Sequence, residues 1–303
     1  MTRSLPRRLL SAGLVLLVCW GAAGWWPMLS ANAPAWTRWL PLPMAAAAAA
    51  VWWLAPARRV RPLQRAWMAL LSLIVWAGFA RDMAPLRETR HIDGWQLRMT
   101  QWHLADRLTI DQALAAIQPD HPHVVVLTGY RRSDRTSNDL RRRLRLHHSV
   151  VQDEIILLSR YPVVKLPPPA LPETRALHAY IQAPRGVRIP VLAVAMNHPT
   201  REGIVALAKF LDENRPNGPY LLAGSLGMNR TDARLATLRS LMRPAFEVGG
   251  FGWPYSHCAP VPLFSHENLW VSPGWAVQRS AFRVGPDSPY LRHMTTLSVA
   301  QGS

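Results

Sequence analysis

Five side chains able to bind a phosphate group stand beside short apolar runs of the sequence: His103, His198, Ser225, Arg292 and His293. All five can donate hydrogen bonds to phosphate oxygens, and the guanidinium group can donate two at once. A serine cannot serve as a general base near neutral pH without a partner that takes its proton. These residue types therefore suit a metal-free site for a phosphate or a phospholipid headgroup, if the fold brings them together.

The elements that would position these residues alternate between strand and helix patterns. Short apolar or alternating segments predict strands at 94–102, 123–127, 154–159, 176–182, 187–196, 220–223, 266–272, 276–284 and 294–300. Helical spacing of apolar residues predicts helices at 106–118, 203–214 and 233–242. Many strands with interleaved helices indicate an α/β or α+β sandwich.

The first 80 residues have a different composition from the rest of the chain. They contain eight arginines and no acid, so the formal net charge of +17 leaves 27 basic and 18 acidic residues, or +9, for 81–303. Uncharged runs at 9–28 and 39–57 are long enough to span a bilayer. A third run at 66–80 is short, and either spans with snorkelling arginines at its ends or lies in the interface. We therefore predict a membrane domain with three transmembrane helices at 1–85 and a second domain at 86–303, which excludes a water-soluble enzyme filling the whole chain.

Arginine placement predicts the orientation of the membrane domain. Arginines cluster in the N-terminal segment 3–8 and in the loop 58–65, whereas the first loop has only Arg38. The positive-inside rule places both clusters in the cytoplasm. We therefore expect a multi-pass protein of the inner (cytoplasmic) membrane whose C-terminal domain is extracytoplasmic. Cleavage of a signal peptide at 31–33 would not change this orientation, because two spans would still follow.

A series of short segments, taken in order, resembles motifs of the endonuclease/exonuclease/phosphatase family. The clearest is Ile155-Ile156-Leu157-Leu158-Ser159-Arg160-Tyr161-Pro162, which matches the family's "LLSRYP" stretch. The others lie at 97–103, 123–129, 196–199, 222–227, 269–273 and 291–293. The resemblance implies a four-layer α/β sandwich, and the active family consists of Mg²⁺-dependent phosphoesterases. Bacterial members with an N-terminal membrane region look especially similar.

The positions that carry chemistry in the family are mostly changed in this chain. The family's Asn is His103, its metal-binding Glu is Gly129, the Asp and Asn of "LAGDFN" are Ser225 and Gly227, and the Asp of "SDH" is Arg292. Relative to the family, the charge changes by +1 at 129, +1 at 225 and +2 at 292, a total of +4. Because a hard cation needs carboxylate oxygens, we expect no Mg²⁺ and no cofactor.

The resemblance also implies that the motif positions share one cleft. These positions are His103, Gly129, His198, Ser225, Gly227, Arg292 and His293. We interpret the chain as a membrane-anchored pseudoenzyme. It would use His198, Ser225, Arg292 and His293 to bind a phosphorylated small molecule or lipid headgroup, or would bind a partner protein.

Two alternatives to this interpretation stay open. The cleft residues are drifting in a relaxed site without a ligand, or histidines have rebuilt a metal site with His103, His198, His293 and Glu267. Imidazole ligands suit zinc or manganese better than magnesium, so the second alternative is a divalent-metal-dependent phosphoesterase with rearranged ligands.

An arginine run outside these motifs has two interpretations. Residues 131–145 contain seven arginines and two aspartates, a charge of +5. The run contacts anionic lipid or nucleic acid, or it is the solvated face of a helix. No aromatic residues are interleaved to stack on bases, which disfavours nucleic acid as a partner.

Overall fold

The computed structural model describes residues 95–104, 109–129, 134–196, 199–214, 218–229, 232–250, 267–283 and 291–299, together with Ala69 and Leu73. The three predicted membrane runs lie outside these residues except for those two positions. In the part of the chain that the structure describes, no helix is long and apolar enough to cross a membrane. The chain divides into two compact units, Met1–Ala84 and Pro85–Ser303. The second unit carries every element discussed below.

Twelve described strands form two six-stranded mixed sheets. The strands are β1 Gln96–His103, β2 Val124–Thr128, β3 His148–Gln152, β4 Ile155–Ser159, β5 Val163–Lys165, β6 Thr174–Gln182, β7 Arg188–Met196, β8 Leu221–Ser225, β9 Arg243–Pro244, β10 Glu267–Val271, β11 Trp275–Arg283 and β12 Arg292–Val299. Sheet A has the order β11-β12-β1-β2-β4-β3, and sheet B has the order β5-β6-β7-β8-β10-β9. Each sheet contains one parallel pair, β1 with β2 and β7 with β8, so the carboxyl ends of each pair lie at one edge.

Five α-helices accompany the sheets within the described residues. They are α1 Ile110–Ile117, α2 Asp134–Arg143, α3 Arg201–Glu213, α4 Ala236–Leu241 and α5 Ala245–Gly249. The first helix begins in a capping box, in which Thr109 and Gln112 each accept a hydrogen bond from the other's backbone N–H. The third begins at Thr200, whose hydroxyl accepts a hydrogen bond from the Gly203 N–H.

The layers are helix, sheet, sheet and helix. Alternate residues of β2 show this directly, because Val124 and Val126 join the core between the sheets whereas Val125 and Leu127 pack under α1 and α2. Helices α3 and α4 cover the outer face of sheet B in the same way, with Leu207 among the buried residues. Both faces of the central strands are covered, which explains why β2 is a continuous apolar run. The predicted α/β sandwich is confirmed.

Differences from the sequence-based elements have local causes. Strand β3 was not predicted, because it is half-buried along its length and follows an arginine-rich stretch, so it has no apolar pattern. The predicted helix at 233–242 is divided into a 3₁₀ turn, Ala233–Leu235, followed by α4. Asp232 caps that turn by accepting a hydrogen bond from the Arg234 N–H, which favours the tighter start.

One histidine at the amino-terminal end of β2 is held neutral by its surroundings. The Arg98 N–H lies 3.3 Å from His123 Nδ1, and the Arg98 side chain lies 3.4 Å from Nε2. Burial, with the nearby Arg98 and Arg160 cations, lowers the pKa of His123 to about 4 from its ordinary value of 6.5.

This lowered pKa predicts a pH-dependent stability. As pH falls from 6.5 to 4, the unfolded chain takes up a proton on His123 before the folded chain does, so stability is lost in that window. Allowing for partial exposure, we expect a loss of about 2 kcal/mol. Urea unfolding at a series of pH values, followed by circular dichroism, measures it. His123→Asn keeps an acceptor but does not titrate, so an equally steep loss in that variant would contradict the assignment.

Candidate functional site

The carboxyl ends of β1, β2 and β8 meet at one end of the sandwich. Parallel pairing places His103 beside Thr128, one residue before Gly129. The Gln101 side chain crosses between the sheets and donates a hydrogen bond to the Gly224 carbonyl of β8 at 2.7 Å. The sequence-predicted positions His103, Gly129, Ser225 and Gly227 therefore lie at this end, which we call the cleft end. His198 lies outside the described residues.

His103 fills the space beside Gly129. Its Nδ1 lies 3.0 Å from the Thr128 hydroxyl, which fixes the ring. A Cβ atom at residue 129 would lie 2.5 Å from His103 Cε1 and 2.7 Å from Nε2, closer than any real contact. Gly129 also has a φ of +75°, which strains any other residue. His103 and Gly129 are thus coupled, because the imidazole occupies the position where a side chain at residue 129 would begin.

The end of β8 is equally restricted. Ser225 is buried, and its hydroxyl makes no hydrogen bond to a described residue. Gly227 has a φ of +62°, and a Cβ atom at that residue would lie 2.8 Å from the Met196 carbonyl oxygen. An asparagine could not be accommodated at 227 without movement of the backbone around Met196. Strand register places Glu267 of β10 directly opposite Ser225.

His293 is an internal residue of the sandwich. Only 1% of it is exposed, and it stacks on Phe282 with ring centroids 4.3 Å apart. The Leu269 N–H lies 3.3 Å from its Nδ1, and the Ser280 hydroxyl lies 2.6 Å from its Nε2. Because the backbone N–H must donate, the Nε2 carries the ring proton and donates to Ser280. Both ring nitrogens are therefore engaged by the protein, and His293 is not presented to a ligand as we had expected.

The position of Arg292 differs even more from the expected cleft. Successive residues of a strand face opposite sides of a sheet, and Arg292 lies on the face away from His293. Its Nε pairs with Asp120 Oδ2 at 2.9 Å, and the side chains are 7% and 1% exposed. Arg283 adds a longer contact to the same carboxylate at 3.7 Å. The structure differs from the expectation that Arg292 lines the cleft, because its guanidinium forms a buried ion pair with Asp120 of the 3₁₀ turn that follows α1.

Burial of the Asp120–Arg292 pair shifts the pKa of both groups. Burial raises the pKa of Asp120 and lowers that of Arg292, and the attraction between the two groups opposes both shifts. The Asp120 carboxylate also balances the charge of Arg292 within the pair.

The residues described at the cleft end do not by themselves fit a magnesium ion. Gly129 and Gly227 supply no ligand, and the Asp232 carboxylate is held by the Arg234 guanidinium at 2.7 Å. Among the described residues, no three His, Cys, Asp or Glu side chains are grouped so that they could hold a metal ion. The described side chains at this end therefore lack the set of carboxylate oxygens that a hard cation requires.

Sequence reasoning missed Gln101, Ser280 and Asp120. Gln101 and Ser280 are buried polar residues that face the other sheet, and each bonds a group at the cleft end. Gln101 could have been found from the alternation of 95–102, because it is a polar residue at an inward position of an otherwise apolar strand face. Asp120 lies in the turn Gln118–Asp120, and its role follows only from the tertiary structure.

Comparison with known proteins identifies the architecture. No protein-family model matches the chain, and no curated protein matches it. An endonuclease/exonuclease/phosphatase from Bacteroides vulgatus superposes with a TM-score of 0.56 at 11% identity, covering 68% of this chain and 100% of that one. A mannosyl-6-phosphatase from Bacteroides thetaiotaomicron gives 0.50 at 12% identity, covering 67% and 99%. D. rerio TDP2 complexed with a single-strand DNA product gives 0.51 at 14% identity, covering 68% and 100%.

The contact between His103 and residue 129 predicts a measurable coupling. Gly129→Ala should destabilise the protein by about 2 kcal/mol through backbone strain and the clash. Gly186→Ala is the matched control, because Gly186 has a φ of +73° and no heavy atom within 4 Å of the added Cβ. The excess cost of Gly129→Ala over this control should vanish in a His103→Ala background. Equal costs for both glycines in urea unfolding would contradict the clash.

The Asp120–Arg292 pair predicts a second stability effect. Arg292→Met leaves a buried carboxylate with a weaker partner, and we expect a loss of about 3 kcal/mol in urea unfolding. Arg292→Met with Asp120→Asn should recover most of it. Arg142→Met removes the exposed pair with Asp139 and should cost less than about 1 kcal/mol. A small effect of Arg292→Met would argue against the buried pair.

Proposed function

We propose that this chain, whose Pro85–Ser303 unit has the endonuclease/exonuclease/phosphatase fold, is a membrane-anchored protein that binds an anionic ligand or a partner and does not hydrolyse phosphoesters. The anchoring is supported by the three apolar runs in 1–85 and by the arginine asymmetry of their flanks. The same asymmetry supports a protein of the inner membrane whose Pro85–Ser303 unit is extracytoplasmic.

The observation that carries the proposal is the imidazole of His103 beside Gly129. A metal-dependent phosphoesterase needs a carboxylate oxygen at its cation. At residue 129 such a side chain is absent, and its first atom would overlap the ring by more than any real contact allows. The His103 ring thus occupies part of the space that a carboxylate side chain at residue 129 would need.

Two further observations support loss of catalysis. The Ser225 hydroxyl has no base among the described residues, and both ring nitrogens of His293 are engaged inside the sandwich. General acid–base chemistry requires a group within reach of the reacting proton. Ser225, together with His198, remains our candidate for contact with an anion at this end.

A second candidate function is a phosphoesterase with rearranged ligands. The register of β8 and β10 favours it, because Glu267 stands directly opposite Ser225 and could supply a carboxylate to the cleft end. Such an enzyme would depend on Glu267, which gives a discriminating variant.

We expect no Mg²⁺- or Mn²⁺-dependent hydrolysis by the purified full-length chain. The substrates to test are bis-p-nitrophenyl phosphate, a sugar phosphate and single-stranded DNA. Loss of metal ligation and of the aspartate base would each remove orders of magnitude in rate. Wild type and Glu267→Gln should both match the rate without protein. Metal-dependent turnover in the wild type that Glu267→Gln loses would establish the rearranged hydrolase instead.

A further inference from the structure

The end of the sandwich opposite the cleft end carries a basic groove. Strand β4 runs antiparallel to β2 and pairs Ser159 with Val124, so Arg160 follows at the start of β2. Gly129 follows the other end of β2, about 16 Å away at 3.3 Å per residue. The groove has a volume of about 710 Å³ and is lined by Arg141, Arg142, Arg145, Leu146, His147 and Arg160. It is a separate site from the cleft end.

The positive charge of this basic groove is only partly neutralised. Arg142 pairs with Asp139 at 2.8 Å, and this pair is exposed. Arg145 and Arg160 are exposed and form no ion pair within the described residues. With four guanidinium groups and one paired carboxylate, the groove has a formal charge of +3. An anionic ligand would meet at least two guanidinium groups without competing partners.

The basic groove is held in shape by the turn that ends α2. Arg145 adopts a left-handed conformation with a φ of 56°, and the Leu146 N–H returns to the Arg141 carbonyl at 2.9 Å. Leu144 and Leu146 are buried beneath the turn. Arg141 donates a hydrogen bond to the His147 carbonyl at 2.7 Å, and its buried Nε has no partner among the described residues. Arg141 and Arg142 therefore lie in the last turn of α2, Arg145 lies in the fixed turn after it, and Arg160 follows β4.

Strand β1, which follows the predicted membrane domain in the sequence, begins at the same end of the sheet as the basic groove. Because β1 is parallel to β2 and pairs Met99 with Val124, both strands begin at the groove end. Residues 1–94 therefore join the sheet at that end. Arg98 lies against His123 there, and both Arg98 and Arg160 act electrostatically on that histidine. The chain thus enters β1 at the end of the sheet where Arg98 and Arg160 lie.

We propose that the groove of Arg141, Arg142, Arg145 and Arg160 binds the phosphate groups of anionic phospholipids in the membrane that anchors residues 1–85. Guanidinium groups donate paired hydrogen bonds to phosphate oxygens, and anionic phospholipids present such phosphates at the bilayer surface. This inference rests on the membrane anchoring proposed above but is independent of whether the cleft end is catalytic.

The test uses the full-length chain in nanodiscs of phosphatidylcholine, with or without phosphatidylglycerol. Hydrogen exchange of the amides of 141–147 should slow by at least about threefold when phosphatidylglycerol is present. Arg145→Asn with Arg160→Gln should abolish this protection, and asparagine tolerates the left-handed conformation at 145. Arg201→Gln with Arg243→Gln removes two exposed arginines outside the groove and should leave the protection intact.

Several results would overturn the proposal. These are equal exchange in the two kinds of nanodisc, or an equal loss of protection in both double variants. The same protection from inorganic phosphate in phosphatidylcholine discs, with none added by phosphatidylglycerol, would identify a soluble-phosphate site instead. The same protection from a single-stranded oligonucleotide would identify nucleic-acid binding. Extraction of the chain from membranes by alkaline carbonate would overturn the anchoring. If only the groove does not bind lipid, the chain stays in the discs but shows no added protection.

Discussion

The face-to-face burial of two six-stranded sheets is the constraint on which the other features depend. Their inner faces share one apolar core, so any polar residue that faces inward must find a partner within the protein. Gln101 meets the Gly224 carbonyl, and His293 meets Leu269 and Ser280. The bonds to Gly224 and Leu269 join the two sheets, whereas the bond to Ser280 fixes the imidazole within its own sheet.

Much of this architecture could be predicted from the sequence, and the limits have physical reasons. Strands β2 and β4 are fully buried runs of five residues, so their apolar character identifies them. The order of the motifs likewise located His103, Gly129 and Ser225 at strand ends. The error at Arg292 arose because the last strand was predicted to begin at 294. It begins at Arg292, and alternation then places that residue on the face opposite His293.

The contact of His103 with Gly129 could not be predicted in this way. The two residues are 26 positions apart, and their proximity depends on the pairing of β1 with β2. Each change considered alone indicates a lost ligand, whereas together they form a filled space. The same limit applies to charge, because composition counts arginines without showing which are paired. Asp120, Asp232 and Glu247 each hold an arginine, which leaves the unpaired positive charge of the described region on residues such as Arg145 and Arg160.

The internal bonding of His293 has a consequence for how genetic variation in this chain would be read. A substitution at a solvent-exposed histidine usually changes stability little and leaves the amount of protein in the cell unchanged. Here the imidazole is part of the packing between the sheets, with Phe282 stacked on it and Ser280 bonded to it. Replacement exposes unpaired polar groups in the interior and raises the fraction of unfolded chain that proteases can reach. Substitutions of His293 therefore lower the amount of folded protein in the cell. A phenotype that resembles loss of activity would then reflect loss of the protein.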